Sequence, residues 1–99
     1  MFLIDTDEMK VLGPTALKEF LVSDSVESVT IMPSEYDLIA VIQVASRPYI
    51  LGRSRGGPRL FKSIDGAAAT LKQYGIDSFD AKLSDWIPKT EQRKTNLDK

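Results

Sequence analysis

Two of the chemically most versatile side chains are missing from this 99-residue chain, which has no cysteine and no histidine. Without cysteine there is no disulfide framework and no thiolate metal site. Without histidine the commonest zinc ligand and the usual general base near neutral pH are gone. Ser-His-Asp and Cys-His catalytic arrangements are excluded with them. Long apolar runs are also absent: the longest, Leu38 to Ile42, falls far short of the roughly 20 residues that cross a bilayer. The opening MFLIDTDEMK lacks the basic region and the apolar run of about 7–15 residues that mark a secretory signal. The expectation is a cytoplasmic, non-enzymatic protein with no membrane association, no metal and no cofactor.

What is present suits one small soluble domain, with 42% apolar and 27% charged residues. The charges are unevenly spread. Between Ser46 and Ile64 every ionisable group is a cation apart from Tyr49: Arg47, Arg53, Arg55, Arg59 and Lys62. These five of the 13 Lys and Arg leave eight against 14 acids, so +5 here faces −6 elsewhere beneath a net charge of −1. An anionic partner meets this segment first.

Backbone signals order the chain. Gly13-Pro14 before TALKEFL predicts a helix, because proline at the first helical position gives up only an amide that has no intrahelical partner. Ser23-Asp24-Ser25 ends it. Val26 to Met32 alternates as a half-buried strand, a turn is predicted at Pro33-Ser34-Glu35, and Tyr36 to Val44 is apolar on both faces, as in a central strand. After a turn at Ser46-Arg47, Tyr49 to Arg53 forms a third strand. Gly56-Gly57 then predicts a hairpin returning along Arg59 to Phe61, with Pro58 confining that fourth strand to an edge. Ser63 caps a second helix whose first turn holds Asp65. Gly75 ends that helix in the left-handed conformation and folds Ile76 back on Leu71. Phe79 and Leu83 are expected to complete the core. The fold class predicted is α+β: an antiparallel three- to four-stranded meander with two helices packed on one face. The compact domain spans 1–83, and the polar stretch 84–99 is expected to be mobile.

Regular continuation of the third strand would put Tyr49, Leu51, Arg53 and Arg55 on one side, with Arg59 across the turn. Arginine's planar fork grips phosphate oxygens, so Arg53, Arg55 and Arg59, supported by Arg47 and Lys62, form the candidate nucleic-acid contact. Four or five such contacts put the slope of log affinity against log salt near −4. The plainer account is a solvated hairpin whose cations deter edge-to-edge association, and the pI of about 5.3 argues in that direction. Acids at Asp5, Asp7 and Glu8 and at Asp77, Asp80 and Asp85 match no calcium loop or metal-binding helix. Trp86, the single tryptophan, is either a partner anchor or a cover for the second helix.

The run LGPTALKEFLVSDSVESV, the later RPYILGRSRGGPRLFKSIDGAAATLKQYGIDSFDAKL and the apolar strand between them resemble the ParC-type partition-associated accessory proteins of plasmids and integrative elements. The resemblance spans about residues 12–83. An Arg-rich hairpin leads there into a helix motif whose positions here are Arg59, Phe61, Ser63, Asp65 and Leu71. A Gly75-Ile76 turn and a short strand at Phe79 and Asp80 follow. The resemblance implies a role in partition or maintenance of a mobile element, through contact with DNA or another plasmid-encoded protein. The alternative is a protein-interaction module that self-associates as a homodimer or docks a partner through an open strand edge or Trp86.

Overall fold

The structure, a computed structural model, describes residues 9–84. The expectations for Trp86 and for the polar tail beyond Ser84 fall outside that range. Seven elements follow one another: β1 (Lys10–Leu12), α1 (Pro14–Val22), β2 (Val26–Ser34), β3 (Asp37–Val44), β4 (Arg47–Leu51), α2 (Ile64–Gln73) and β5 (Asp80–Ala81). The five strands form one sheet in the order β1-β4-β3-β2-β5. The α+β class holds, but the sheet is mixed where an antiparallel meander was expected. Strands β2, β3 and β4 are the antiparallel meander, while β1 joins β4 and β5 joins β2 in parallel.

Local chemistry explains the centre of this sheet. Val29 and Ile31 of β2, Leu38, Ala40, Ile42 and Val44 of β3, and Leu51 of β4 are buried in one cluster with Leu17 of α1 and Ala67 and Leu71 of α2. Both helices therefore cover one face. Ile39, Val41 and Ile50 form a second buried cluster on the opposite face, with Met9 and Met32 packed against it. The two-sided apolar pattern of Leu38–Val44 thus does mark the central strand. Leu83 is 53% exposed and takes no part, whereas Phe79 packs against the helix-side cluster.

Turns sit where dihedral angles permit, one residue from where composition suggests. Pro33 continues β2, and Ser34 pairs with Asp37 around a loop of Glu35 and Tyr36. Between β3 and β4 the turn is Ala45-Ser46, both at positive φ (54° and 65°), closed by the Val44–Arg47 pair. Two positive φ values give the backbone the twist a two-residue hairpin needs, and the turn gains a tether from Glu27, whose Oε1 accepts from the Ser46 N–H at 3.0 Å. Glu27 is aimed there by an irregularity in β2 between Val26 and Ser28. Pro48 lies inside β4 without harm, because pairing with β1 begins one residue later, at Tyr49.

The second helix follows its sequence signals closely. Ser63 Oγ accepts from the Gly66 N–H at 3.0 Å, and Asp65 stands in the first turn. At the other end Gly75 has φ 88°, its N–H donates to Lys72 O, and the Ile76 N–H donates to Leu71 O. That pair of bonds is the Schellman closure. Helix α1 ends the same way around Asp24 (φ 59°), with Asp24 N–H to Leu21 O and Ser25 N–H to Phe20 O. The missing glycine hid this cap from sequence reasoning.

Candidate nucleic-acid interface

Strand β4 stops at Leu51 because Gly52 is needed for three backbones to meet. Its N–H donates to Leu12 O at 2.8 Å and it forms an isolated bridge with Pro58. A Cβ there would collide with Val11 Cγ1 and lie 3.2 Å from Gly57 O and 3.3 Å from Leu12 O. The expected regular projection of Tyr49, Leu51, Arg53 and Arg55 to one side therefore breaks. Tyr49 and Leu51 face the helix-side core, and Arg53 and Arg55 enter a loop.

The loop is closed by two backbone bonds, Arg53 N–H to Gly57 O at 2.9 Å and Gly56 N–H to Arg53 O at 3.0 Å. Gly56 (φ 97°) and Gly57 (φ 78°) supply the positive φ predicted for them. The return strand Arg59–Phe61 does not form as a strand. Arg59 N–H reaches Leu51 O, but Phe61 exchanges both its backbone bonds with Leu38 of β3. The chain thus crosses from β4 to the next strand within three residues, leaving no room for a ladder.

Three of the five sequence-predicted cations gather on this loop. Arg53, Arg55 and Arg59 are exposed, and no carboxylate pairs with any of them among the described residues. Arg53 Nε donates to Gly56 O at 3.1 Å, which holds the side chain against the turn. The Arg59 guanidinium carbon lies 5.5 Å from the Phe61 ring centroid, a cation–π contact worth about 0.5–1 kcal/mol at an exposed site. Both side chains are partly ordered before any partner arrives, which lowers the entropy lost on binding. Arg55 stands at the tip.

The other two cations stand apart from these three. Arg47 opens β4 at the end remote from the loop; six residues of extended chain separate it from Arg53 by roughly 20 Å. Lys62 Nζ contacts Asp37 Oδ1 at 2.8 Å. The Leu38–Phe61 bridge makes this pair by setting the preceding Asp37 beside the following Lys62. The pair adds little stability at a side chain 73% exposed, yet it cancels the local charge. Acids collect elsewhere: Asp24, Glu27 and Asp77 line a cleft of about 220 Å³ at the C-terminal end of α1.

One cation escaped the sequence reading. Lys18 of α1 shares a second cleft with Arg59, a meeting that two residues so far apart in the chain do not signal.

An Arg-bearing loop, a capped α2 and the Gly75-Ile76 closure are features carried by the ParC-type resemblance, and the ParC-like family model matches residues 12–90. The chain belongs to the ParC-like family. No curated protein and no solved structure matches it. No helix among the described residues is long and apolar enough to cross a membrane.

Proposed function

We propose that this chain is a non-enzymatic, cytoplasmic accessory protein of a mobile genetic element, serving plasmid partition or maintenance by contacting nucleic acid through Arg53, Arg55 and Arg59. The observation that carries the reading is the cluster of three exposed arginines without a carboxylate partner among the described residues. Membership of the ParC-like family supports the partition role. Phosphate contacts from arginine forks supply affinity without base recognition. With three contacts in place of four or five, the slope of log affinity against log salt becomes about −2.7. Fluorescence anisotropy of a labelled duplex across a salt series measures it. An Arg53→Glu, Arg55→Glu double variant abolishes retention on this reading, and a flat salt response in the wild type removes the reading.

A second reading rests on the sheet edge. Strand β5 pairs with β2 only at Thr30 and Ile31, so Val26–Val29 of a nine-residue strand has no paired strand on its outer side among the described residues and faces Gly75–Ser78 across a cleft. An added strand from a second copy or another protein fits that edge. Light scattering separates the two readings. A mass above the monomer that survives the double arginine variant supports edge pairing.

A further inference from the structure

The cleft shared by Lys18 and Arg59 measures about 340 Å³ and opens between α1, the C-terminal end of α2 and the arginine loop. Its volume lies within the usual range of ligand sites, about 300–1,000 Å³. Besides the two cations its lining residues include the polar Ser54, Thr70, Gln73 and Tyr74, with no carboxylate among them. Such a donor set repels metal ions and offers little to an apolar ligand. It suits a group presenting several oxygens and negative charge.

We propose that this cleft seats a phosphate group, held by Lys18 and Arg59 with neutral donors from Ser54, Gln73 and Tyr74. On the reading above, on which this step partly rests, the phosphate belongs to the same nucleic-acid strand that the loop arginines contact. Three observations support it. Lys18 has no acidic partner among the described residues, so nothing holds its ammonium away from an incoming anion. Arg59 is kept over the Phe61 ring, a platform that leaves its N–H edge available. The first turn of α1, whose Pro14 lines the cleft, has neither a capping side chain nor an acid, so the positive end of that helix offsets the negative end of α2 on the other wall.

The test uses the full chain and two probes. In an amide NMR titration, inorganic phosphate shifts the signals of Lys18, Ser54, Gln73 and Tyr74 saturably, whereas sodium chloride at matched ionic strength does not. Lys18→Gln, an exposed substitution whose melting curve checks folding, weakens that response several-fold, and Ser54→Ala weakens it less. Shifts that are absent, or spread equally to Arg47 and Lys62, overturn the seat. On a labelled duplex, Lys18→Gln weakens retention and reduces the salt slope by up to about 0.9, the limit in which Arg59 alone no longer holds the shared phosphate. An absent phosphate response together with a duplex slope unchanged by Lys18→Gln overturns the seat while the loop-arginine reading stands. A localised phosphate response without duplex retention by the wild type keeps the seat, assigns it to a small free phosphate, and sinks the polynucleotide reading instead.

Discussion

Gly52 is the residue on which the arginine loop turns. Adding one methyl group there forces Val11 aside and crowds two carbonyl oxygens, Gly57 O at 3.2 Å and Leu12 O at 3.3 Å. The side chain of Val11 is able to rotate away; the carbonyls belong to backbone that is itself hydrogen-bonded. Gly52→Ala is expected to destabilise the fold by about 1–3 kcal/mol, the usual range for overpacking, as read by urea denaturation. It should also loosen Arg53, whose N–H closes the loop on Gly57 O. Asp24 offers the opposite case. Its φ of 59° places a β-carbon in the left-handed region, and its charge faces the negative end of α1. Asp24→Gly should raise stability by about 0.5–1 kcal/mol, the relief of strain being partly offset by a more flexible unfolded chain. A thermal melt that falls contradicts this account.

Each secondary element is held by a few groups at its ends. Helix α2 begins at the Ser63 hydroxyl, and the face it buries consists of Ala67, Thr70 and Leu71. Small residues there let the helix approach β3 closely. Ser63→Ala removes the acceptor for Gly66 N–H and should cost about 0.5–2 kcal/mol, measurable as a lowered melting temperature with an unchanged spectrum of the folded state. The loss is local to the helix start, so Glu at the same site restores less than Asp, whose shorter side chain reaches the amide as serine does. Strand β4 behaves differently. Its conformation is dictated by neighbours on both sides, β1 and β3, and it tolerates Pro48 because the proline lies before the segment that β1 pairs.

At the scale of the whole molecule the governing feature is how charge is divided. Arg59, the Ser54 segment of the arginine loop and Lys18 line a cleft that Pro14, the first residue of α1, also borders, whereas Asp24, Glu27 and Asp77 line the cleft beside the C-terminal end of that helix. A polyanion is drawn toward the first cleft and repelled from the second, so the field orients the encounter as well as strengthening it. This division separates the five cations experimentally. Arg55→Gln should reduce the salt slope of duplex binding by about 0.9, whereas Arg47→Gln, at the far end of β4, should leave it nearly unchanged. Equal effects from both substitutions would mean that overall charge, not the loop, draws the nucleic acid.

Features that depend on a few consecutive residues were legible in the chain alone: the Pro14 start of α1, the Ser63 cap, the Gly75 closure, the Gly56-Gly57 turn and the two-faced apolar pattern of β3. Backbone dihedral preferences and side-chain periodicity act over one or two turns, so they leave a readable trace. Tertiary structure alone decided the rest. Strands β1 and β5 contain three and two residues, too few to show a period; the family resemblance alone anticipated a short strand at Phe79 and Asp80, which forms one residue later, and both strands exist because longer strands offer them a parallel edge. The Leu38–Phe61 bridge replaced the expected fourth strand and neutralised Lys62 with Asp37. The same folding separated Arg47 from the loop and brought Lys18 to Arg59. Composition counted five cations in one segment; which of them stand together follows from strand register and helix placement, contacts between residues distant in sequence that no local preference encodes.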